Sequence, residues 1–99
     1  MRTFPIQKNS FFITIRNREG IIYKGEARAL SSYNDKGPFD ILPLHANFIS
    51  LIHTSIHFYT ENGEEKEMPL DTGVLRVKKS IVEIYLGILH SFDELKKIR

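Results

Sequence analysis

The apolar residues of this chain come in short runs separated by turn-forming residues. Phe11-Phe12-Ile13-Thr14-Ile15 is rich in β-branched and aromatic side chains, which suit a strand. Asn17-Arg18-Glu19-Gly20 follows as a turn. Ile21-Ile22-Tyr23-Lys24 reads as a second strand closed by Gly25, and Glu26 to Tyr33 as a third. Asn34-Asp35-Lys36-Gly37-Pro38 is a loop of residues that favour turns. Phe39 to Leu42 is a short apolar run that stops at Pro43. In Asn47-Phe48-Ile49-Ser50-Leu51-Ile52 apolar and polar positions alternate poorly, so the period alone does not separate helix from strand. Pro43 and Thr54-Ser55 bracket a short segment there, which favours a strand.

Two hairpins are predicted further on. Asn62-Gly63 is a strong turn signal, because both residues tolerate positive φ. Read as a two-residue loop, it places Phe58 opposite Lys66, His57 opposite Glu67 and Ile56 opposite Met68. Ile56, Phe58 and Met68 then share the core face, and Glu61 sits opposite Glu64 as a mildly repulsive pair. The second hairpin turns at Lys78-Lys79-Ser80-Ile81. It pairs Val77 with Val82 and Leu75 with Ile84 on the inside, and Arg76 with Glu83 on the outside. After Gly87 the pattern changes. Ser91 and Glu94 are spaced as a capping box, and Leu95 and Ile98 share one helical face. The expected organisation is one all-β domain over residues 1–90, a sandwich or barrel, with a short helical tail over 91–99.

Composition narrows the function classes. A chain of 99 residues, 41% hydrophobic and 26% charged, suits one globular domain. The net charge of +2 is small, and Lys78-Lys79 and Lys96-Lys97-Ile98-Arg99 read as solvated turn and terminus charges, so no nucleic-acid partner is expected. The absence of cysteine excludes disulfides and thiol chemistry. The start, Met1 to Lys8, has no signal-peptide core. The most apolar stretch, Ile41 to Ile52, carries Pro43, His45 and Asn47 and is too short to span a bilayer. No direct membrane insertion is expected.

Candidate chemistry is sparse. His53 and His57 would be one helical turn apart on a helix, but Thr54-Ser55 are expected to break the segment, and a continuous strand would hold them about 13 Å apart. Asp71-Thr72-Gly73 matches the aspartic-protease triplet but reads as a turn between strands. The six glycines are scattered, so no phosphate-cradling loop is formed. The phenylalanines lack interleaved Arg and Lys and read as core. These residues suggest no catalytic site, metal, cofactor or small-molecule substrate. What remains is Gly37-Pro38-Phe39-Asp40-Ile41-Leu42-Pro43-Leu44-His45-Ala46, where large apolar residues sit in a proline-bounded, loop-like segment. A core strand explains some of them, and an apolar edge that docks a partner explains them as well.

That stretch resembles the Gly-x-Phe/Leu-Gly-Ile-Leu-Pro-Gly-His-Ala pattern of the ATP synthase epsilon subunit family. Gly37, Phe39, Ile41, Leu42, Pro43, His45 and Ala46 match it in order. Glu19 to Glu26 is similar to the family's Pro-Glu-Gly-x-Ile-Phe-x-Gly-Glu. Asp71 to Val77 is similar to its Ser-Gly-Gly-Phe-Leu-Glu-Val, followed by a closing strand from Ile81 to Leu86. The resemblance implies a flattened sandwich of two antiparallel sheets with about ten strands. It implies a non-catalytic rotor subunit of a proton-translocating ATP synthase. Such a subunit joins the gamma subunit to the c ring and is held peripherally at the cytoplasmic face of the energy-coupling membrane. The implied contact residues are Pro38, Phe39, Ile41, Leu42, Pro43, Leu44, His45 and Ala46. The family's two-helix C-terminal hairpin is matched only at its start, Phe92 to Lys97, so inhibition and ATP sensing by such a hairpin are not expected. Pro38 stands where the family often has an acidic residue facing the ring, Asp40 and Leu44 replace glycines, and Thr54-Ser55 replaces a Pro-Gly turn. These departures suit an alternative: a stand-alone β-sandwich binding module with a different partner.

Overall fold

The computed structural model describes residues 10–44 and 46–87 of the chain. The N-terminal run rich in β-branched and aromatic residues forms β1 (Phe11–Asn17), and the turn after it leads into β2 (Gly20–Asn34). Sequence reading split β2 into two strands at Gly25, but the ladder runs straight through, with Gly25 opposite Ile13 of β1. Asp35-Lys36 forms a tight turn, with the Lys36 amide donating to Asn34 Oδ1 at 2.9 Å. The chain returns as β3 (Gly37–Ile41), then crosses to β4 (Phe48–Thr60), β5 (Glu65–Lys78) and β6 (Ile81–Leu86).

Two expectations are corrected. The described residues form six strands rather than about ten, in one hydrogen-bonded sheet ordered β1-β6-β5-β4-β2-β3 and closed by a β1–β2 pairing. Nor is the sheet wholly antiparallel, because β1 and β6 run parallel from Phe12↔Ile81 to Arg16↔Tyr85. The strand count falls because β2, β4 and β5 bend instead of breaking. The β2–β4 register shifts between Ala27 and Ala29 and again between Ser31 and Tyr33, and the β4–β5 register shifts between His53 and Thr54. Bulges sharpen bend and twist, so one long strand turns a corner that would otherwise need two. Thr54-Ser55, expected to interrupt the segment, lies inside β4, with Thr54 at φ 78°. Asp71-Thr72-Gly73, expected as a turn, lies inside β5. The helical tail predicted for 91–99 falls outside the described residues.

Both hairpins keep their predicted side-chain pairs. Ile56↔Met68, His57↔Glu67 and Phe58↔Lys66 face one another. These pairs are incompatible with the expected two-residue loop, which would set Phe58 opposite Glu67; they require the three-residue loop observed, Glu61-Asn62-Gly63. The Thr60 amide donates to the Glu64 carbonyl at 2.8 Å and the Gly63 amide to the Thr60 carbonyl at 2.9 Å. Gly63 has φ 87°, as a three-residue loop ending in a left-handed glycine requires. Glu61 thus joins the loop and is not opposed to Glu64. In the second hairpin Val77↔Val82, Leu75↔Ile84 and Arg76↔Glu83 pair as expected, the last with Arg76 Nη2 3.3 Å from a Glu83 carboxylate oxygen.

The strands alternate around a common interior. Ile13, Ile15, Leu30, Ile41, Ile56, Leu75, Val82 and Ile84 are fully buried, and Phe11, Ile52, Phe58 and Val77 nearly so. Burying each such large side chain contributes about 1.5–3 kcal/mol relative to leaving it in water. Ser32 is buried, and its hydroxyl donates to the Ser55 carbonyl at 2.8 Å, where the β2–β4 ladder slips.

Two substitutions test this architecture. A Cβ at Gly73 would lie 3.0 Å from the Tyr85 carbonyl oxygen and 3.1 Å from Leu86. Gly73→Ala is therefore expected to lower stability by about 1–3 kcal/mol, read from the urea midpoint. The β5–β6 turn holds Lys79 at φ 51° and Ser80 at φ 66°, a conformation that favours Asn-Gly. Lys79→Asn combined with Ser80→Gly is expected to raise stability by about 1 kcal/mol; an unchanged midpoint would contradict the strain assigned to this turn.

Candidate partner-binding surface

β3 ends the sheet order and pairs only with β2 among the described residues, so its alternation decides what the 38–46 segment presents. Phe39 and Ile41 point inward. Ile41 is fully buried, and the Phe39 ring packs against Phe48 with centroids 5.5 Å apart. Pro38 and Asp40 point outward, and Asp40 accepts a hydrogen bond from Ser31 Oγ at 2.7 Å. Past β3 the chain leaves the core: Leu42 is 55% and Leu44 69% exposed, Pro43 is half-buried, and Ala46 is exposed. His45 lies outside the described residues. The segment thus divides into two anchors, Phe39 and Ile41, and an outward set of Pro38, Leu42, Leu44 and Ala46.

Leu44 has φ 68°, in the left-handed region that bulky residues rarely occupy. Holding a non-glycine residue there costs on the order of 1–2 kcal/mol. Strain of this kind points to a local requirement other than stability. Here the strained backbone projects an apolar side chain into solvent.

Sequence reading missed the neighbouring surface. On β4, Phe48, Ser50 and Ile52 face inward, while Ile49 is 67% and Leu51 59% exposed on the outer face. In register they stand beside Arg76 and Val74 of β5. Asn47, Phe48 and Ile49 line a shallow groove of about 410 Å³ with Arg76, Val77 and Lys78. The signal was present: the poor alternation of residues 47–52 is the mark of a strand with two apolar faces. One face fills the core, and the other has no cover within the described residues.

The two histidines sit on one continuous strand but engage different neighbours. His53 stacks on Tyr33 of β2, with centroids 6.4 Å apart, and its Nδ1 lies 2.7 Å from Thr54 Oγ1. His57 Nε2 lies 2.5 Å from a Glu65 carboxylate oxygen. Among the described residues no His, Asp and Glu cluster could hold a metal ion. On β6, burial pushes the Tyr85 hydroxyl above its ordinary value, and its hydrogen bond to Glu83 at 3.1 Å with that carboxylate's charge adds to the rise. Arg16 lies over the same ring, 5.5 Å from its centre.

A closed β core thus carries a strained apolar loop at its edge and uncovered apolar positions beside it, among the described residues. Residues 10–87 match the family model described as the ATP synthase Delta/Epsilon chain β-sandwich domain, and the chain belongs to that family. It is 32% identical over 91 residues to an ATP synthase epsilon chain of Clostridium novyi, spanning 91% of this chain and 70% of that protein. It is 26% identical to ATP synthase epsilon chain 2 of Photobacterium profundum and 32% identical to an epsilon chain of Psychrobacter arcticus, spanning 55% and 57% of those proteins. Among solved structures, a chain of the Euglena gracilis mitochondrial ATP synthase OSCP/F1/c-ring structure superposes with a TM-score of 0.74 at 15% identity, covering 80% of this chain and 51% of that one. A chain of the Tetrahymena thermophila synthase central stalk and c-ring structure gives 0.64 at 10% identity, covering 76% and 61%. At these identities the structural likeness establishes the fold.

The Tyr85 environment makes a prediction with a definite sign. A hydroxyl whose folded pKa lies above its unfolded value keeps its proton longer in the folded state. Its contribution to stability is complete below the ordinary tyrosine value, about 10, and is lost as pH rises through the folded value. Melting temperatures measured from neutral pH into this alkaline range are expected to fall less steeply for Tyr85→Phe than for the parent chain. Parallel profiles would refute the assignment.

Proposed function

We propose that this domain joins the gamma subunit to the c ring in the rotor of a proton-translocating ATP synthase. As an epsilon-family chain it is a rotor-stalk subunit of ATP synthase, and its partners are other subunits of that complex. Among the described residues no helix is long and apolar enough to cross a membrane. Association at the cytoplasmic face of the energy-coupling membrane would run through the complex.

The observation behind this reading is the division of the 38–46 segment. Phe39 and Ile41 lock the β3 edge into the core, while Leu42 and the strained Leu44 are held out beside it. An apolar side chain projected at an energetic cost suits a surface that another protein covers. We assign this loop to the c ring, and the outer face of β4 and β5, with Ile49 and Leu51, to gamma. The task is mechanical and uses no catalytic residue or cofactor of this chain. A closed, densely packed sheet resists deformation, so displacement of one contact is transmitted to the other.

The alternative, a binding module with a different partner, draws support from Leu44 and Asp40 standing where the family has glycines. Recovery of the tagged chain from native membranes separates the two readings. Co-recovery of gamma and the c ring is expected, and Leu44→Asp is expected to reduce ring recovery about tenfold while the chain stays folded. Recovery of no synthase subunit would favour the alternative, and undiminished ring recovery by the variant would remove the loop from the interface.

A further inference from the structure

The asparagines of the described residues, Asn17, Asn34, Asn47 and Asn62, sit in unlike surroundings. Asn17 Oδ1 accepts the Glu19 amide at 2.9 Å, and the residue after it is Arg18. Asn34 is held at both ends of its amide: Oδ1 accepts the Lys36 amide at 2.9 Å, and Nδ2 donates to Ser50 Oγ at 3.1 Å. Asn47 precedes Phe48, whose ring packs on Phe39. Asn62 differs from all three. It is exposed at the tip of the β4–β5 hairpin, and its side chain makes no hydrogen bond among the described residues. The residue after it is Gly63, and nothing lies within 4 Å of the place a Gly63 Cβ would take.

An asparagine with a free carboxamide and an unhindered successor can react with its own backbone. The Gly63 nitrogen gives its proton to hydroxide and attacks Asn62 Cγ. The bond from Cγ to Nδ2 breaks, and the side-chain nitrogen leaves as ammonia with a proton from water. The product is a five-membered succinimide. Water then opens the ring. Attack at Cγ gives aspartate at position 62. Attack at the backbone carbonyl gives isoaspartate, in which the main chain runs through the side chain. One water is consumed and one ammonia released, and no other reagent is needed. A bulky residue in place of glycine obstructs the attack, and a hydrogen-bonded carboxamide is held away from it. Asn17, Asn34 and Asn47 each carry at least one of these restraints. Glycine, with no Cβ, lets the backbone turn toward the side chain.

The fold restrains the attacking atom. The Gly63 amide donates to the Thr60 carbonyl at 2.9 Å, so its nitrogen is engaged while the loop is closed. Thr60 closes the loop twice more: its own amide donates to the Glu64 carbonyl at 2.8 Å, and its buried hydroxyl accepts the Glu64 amide at 3.0 Å. Loop tips open locally far more often than the whole domain unfolds. We infer that Asn62-Gly63 is a self-modification site, which converts to aspartate and isoaspartate at a rate set by opening of the Thr60-gated loop. The product alters the hairpin tip. A new carboxylate stands between Glu61 and Glu64, and an isoaspartyl link adds a carbon to the main chain of a three-residue loop. The site lies at the far end of β4 from the 38–46 segment, so it does not depend on the rotor assignment.

The test holds the full 99-residue chain in mildly alkaline buffer, with and without guanidinium chloride, and samples it over time. Peptide mass reads the exchange of NH2 for OH, and chromatography separates aspartyl from isoaspartyl peptides. The folded chain is expected to lose the Asn62 amide while Asn17, Asn34 and Asn47 keep theirs, and to lose it faster in guanidinium chloride. Thr60→Val, which removes the hydroxyl and keeps the side-chain shape, is expected to speed the folded-state loss about fivefold, the factor one hydrogen bond is worth. Thr60→Ser retains the hydroxyl and should keep the parent rate. Circular dichroism matching the parent establishes that both variants are folded. Loss at Asn17, Asn34 or Asn47 as fast as at Asn62 overturns the site. So does a folded chain that keeps the Asn62 amide while the chain in guanidinium chloride loses it. A parent-like rate in Thr60→Val, or a raised rate in Thr60→Ser, overturns the gate.

Discussion

Everything in this domain depends on where β1 lies. It pairs with β2 along one edge and with β6 along the other, and so joins the first third of the chain to the last. Without it the sheet would be open, with β6 as an exposed edge and Ile13 and Ile15 missing from the interior. The β1–β6 contacts span most of the chain, so their closure entropy must be met before they are rewarded. The long interior of isoleucine, leucine, valine and phenylalanine is what makes that closure favourable.

With the sheet closed, the outer surface becomes informative. A small barrel needs one apolar face per strand, and most strands here supply one. The first half of β4 supplies two, and the connection before it holds Leu42 and Leu44 away from the core. The strained φ values at Leu44 and Thr54 bound this region, one in the loop and one at the bulge. A chain selected only for its own stability would place glycine at both. Two strained residues flanking an uncovered apolar area suit a surface shaped for an occupant.

Much of the fold was legible because pairing leaves local marks. The charge pair Arg76–Glu83 and the flanking Val77–Val82 fixed one hairpin's register, and Phe58 and Met68 fixed the other. The errors share a cause. Gly25, Thr54-Ser55 and Asp71-Thr72-Gly73 all carry turn-like composition, yet each lies within a strand, because a bulge or a close approach uses the same residue types as a turn. The parallel β1–β6 pairing left no local signal, since its partners are far apart in sequence. Of the candidate surface, the 38–46 segment was visible from its prolines and from family resemblance. Ile49 and Leu51 were hidden in a run whose poor alternation blurred the strand, although that blur was itself the trace of a second apolar face.

The parallel alignment of the first and last strands also governs how the domain answers to force. Drawing the start of β1 away from the end of β6 slides the two strands along each other, and the five pairs from Phe12↔Ile81 to Arg16↔Tyr85 are strained together. An antiparallel pair pulled at one shared end would instead open bond by bond. For the rotor role proposed above, shear loading of the closing seam would be a built-in resistance to unravelling.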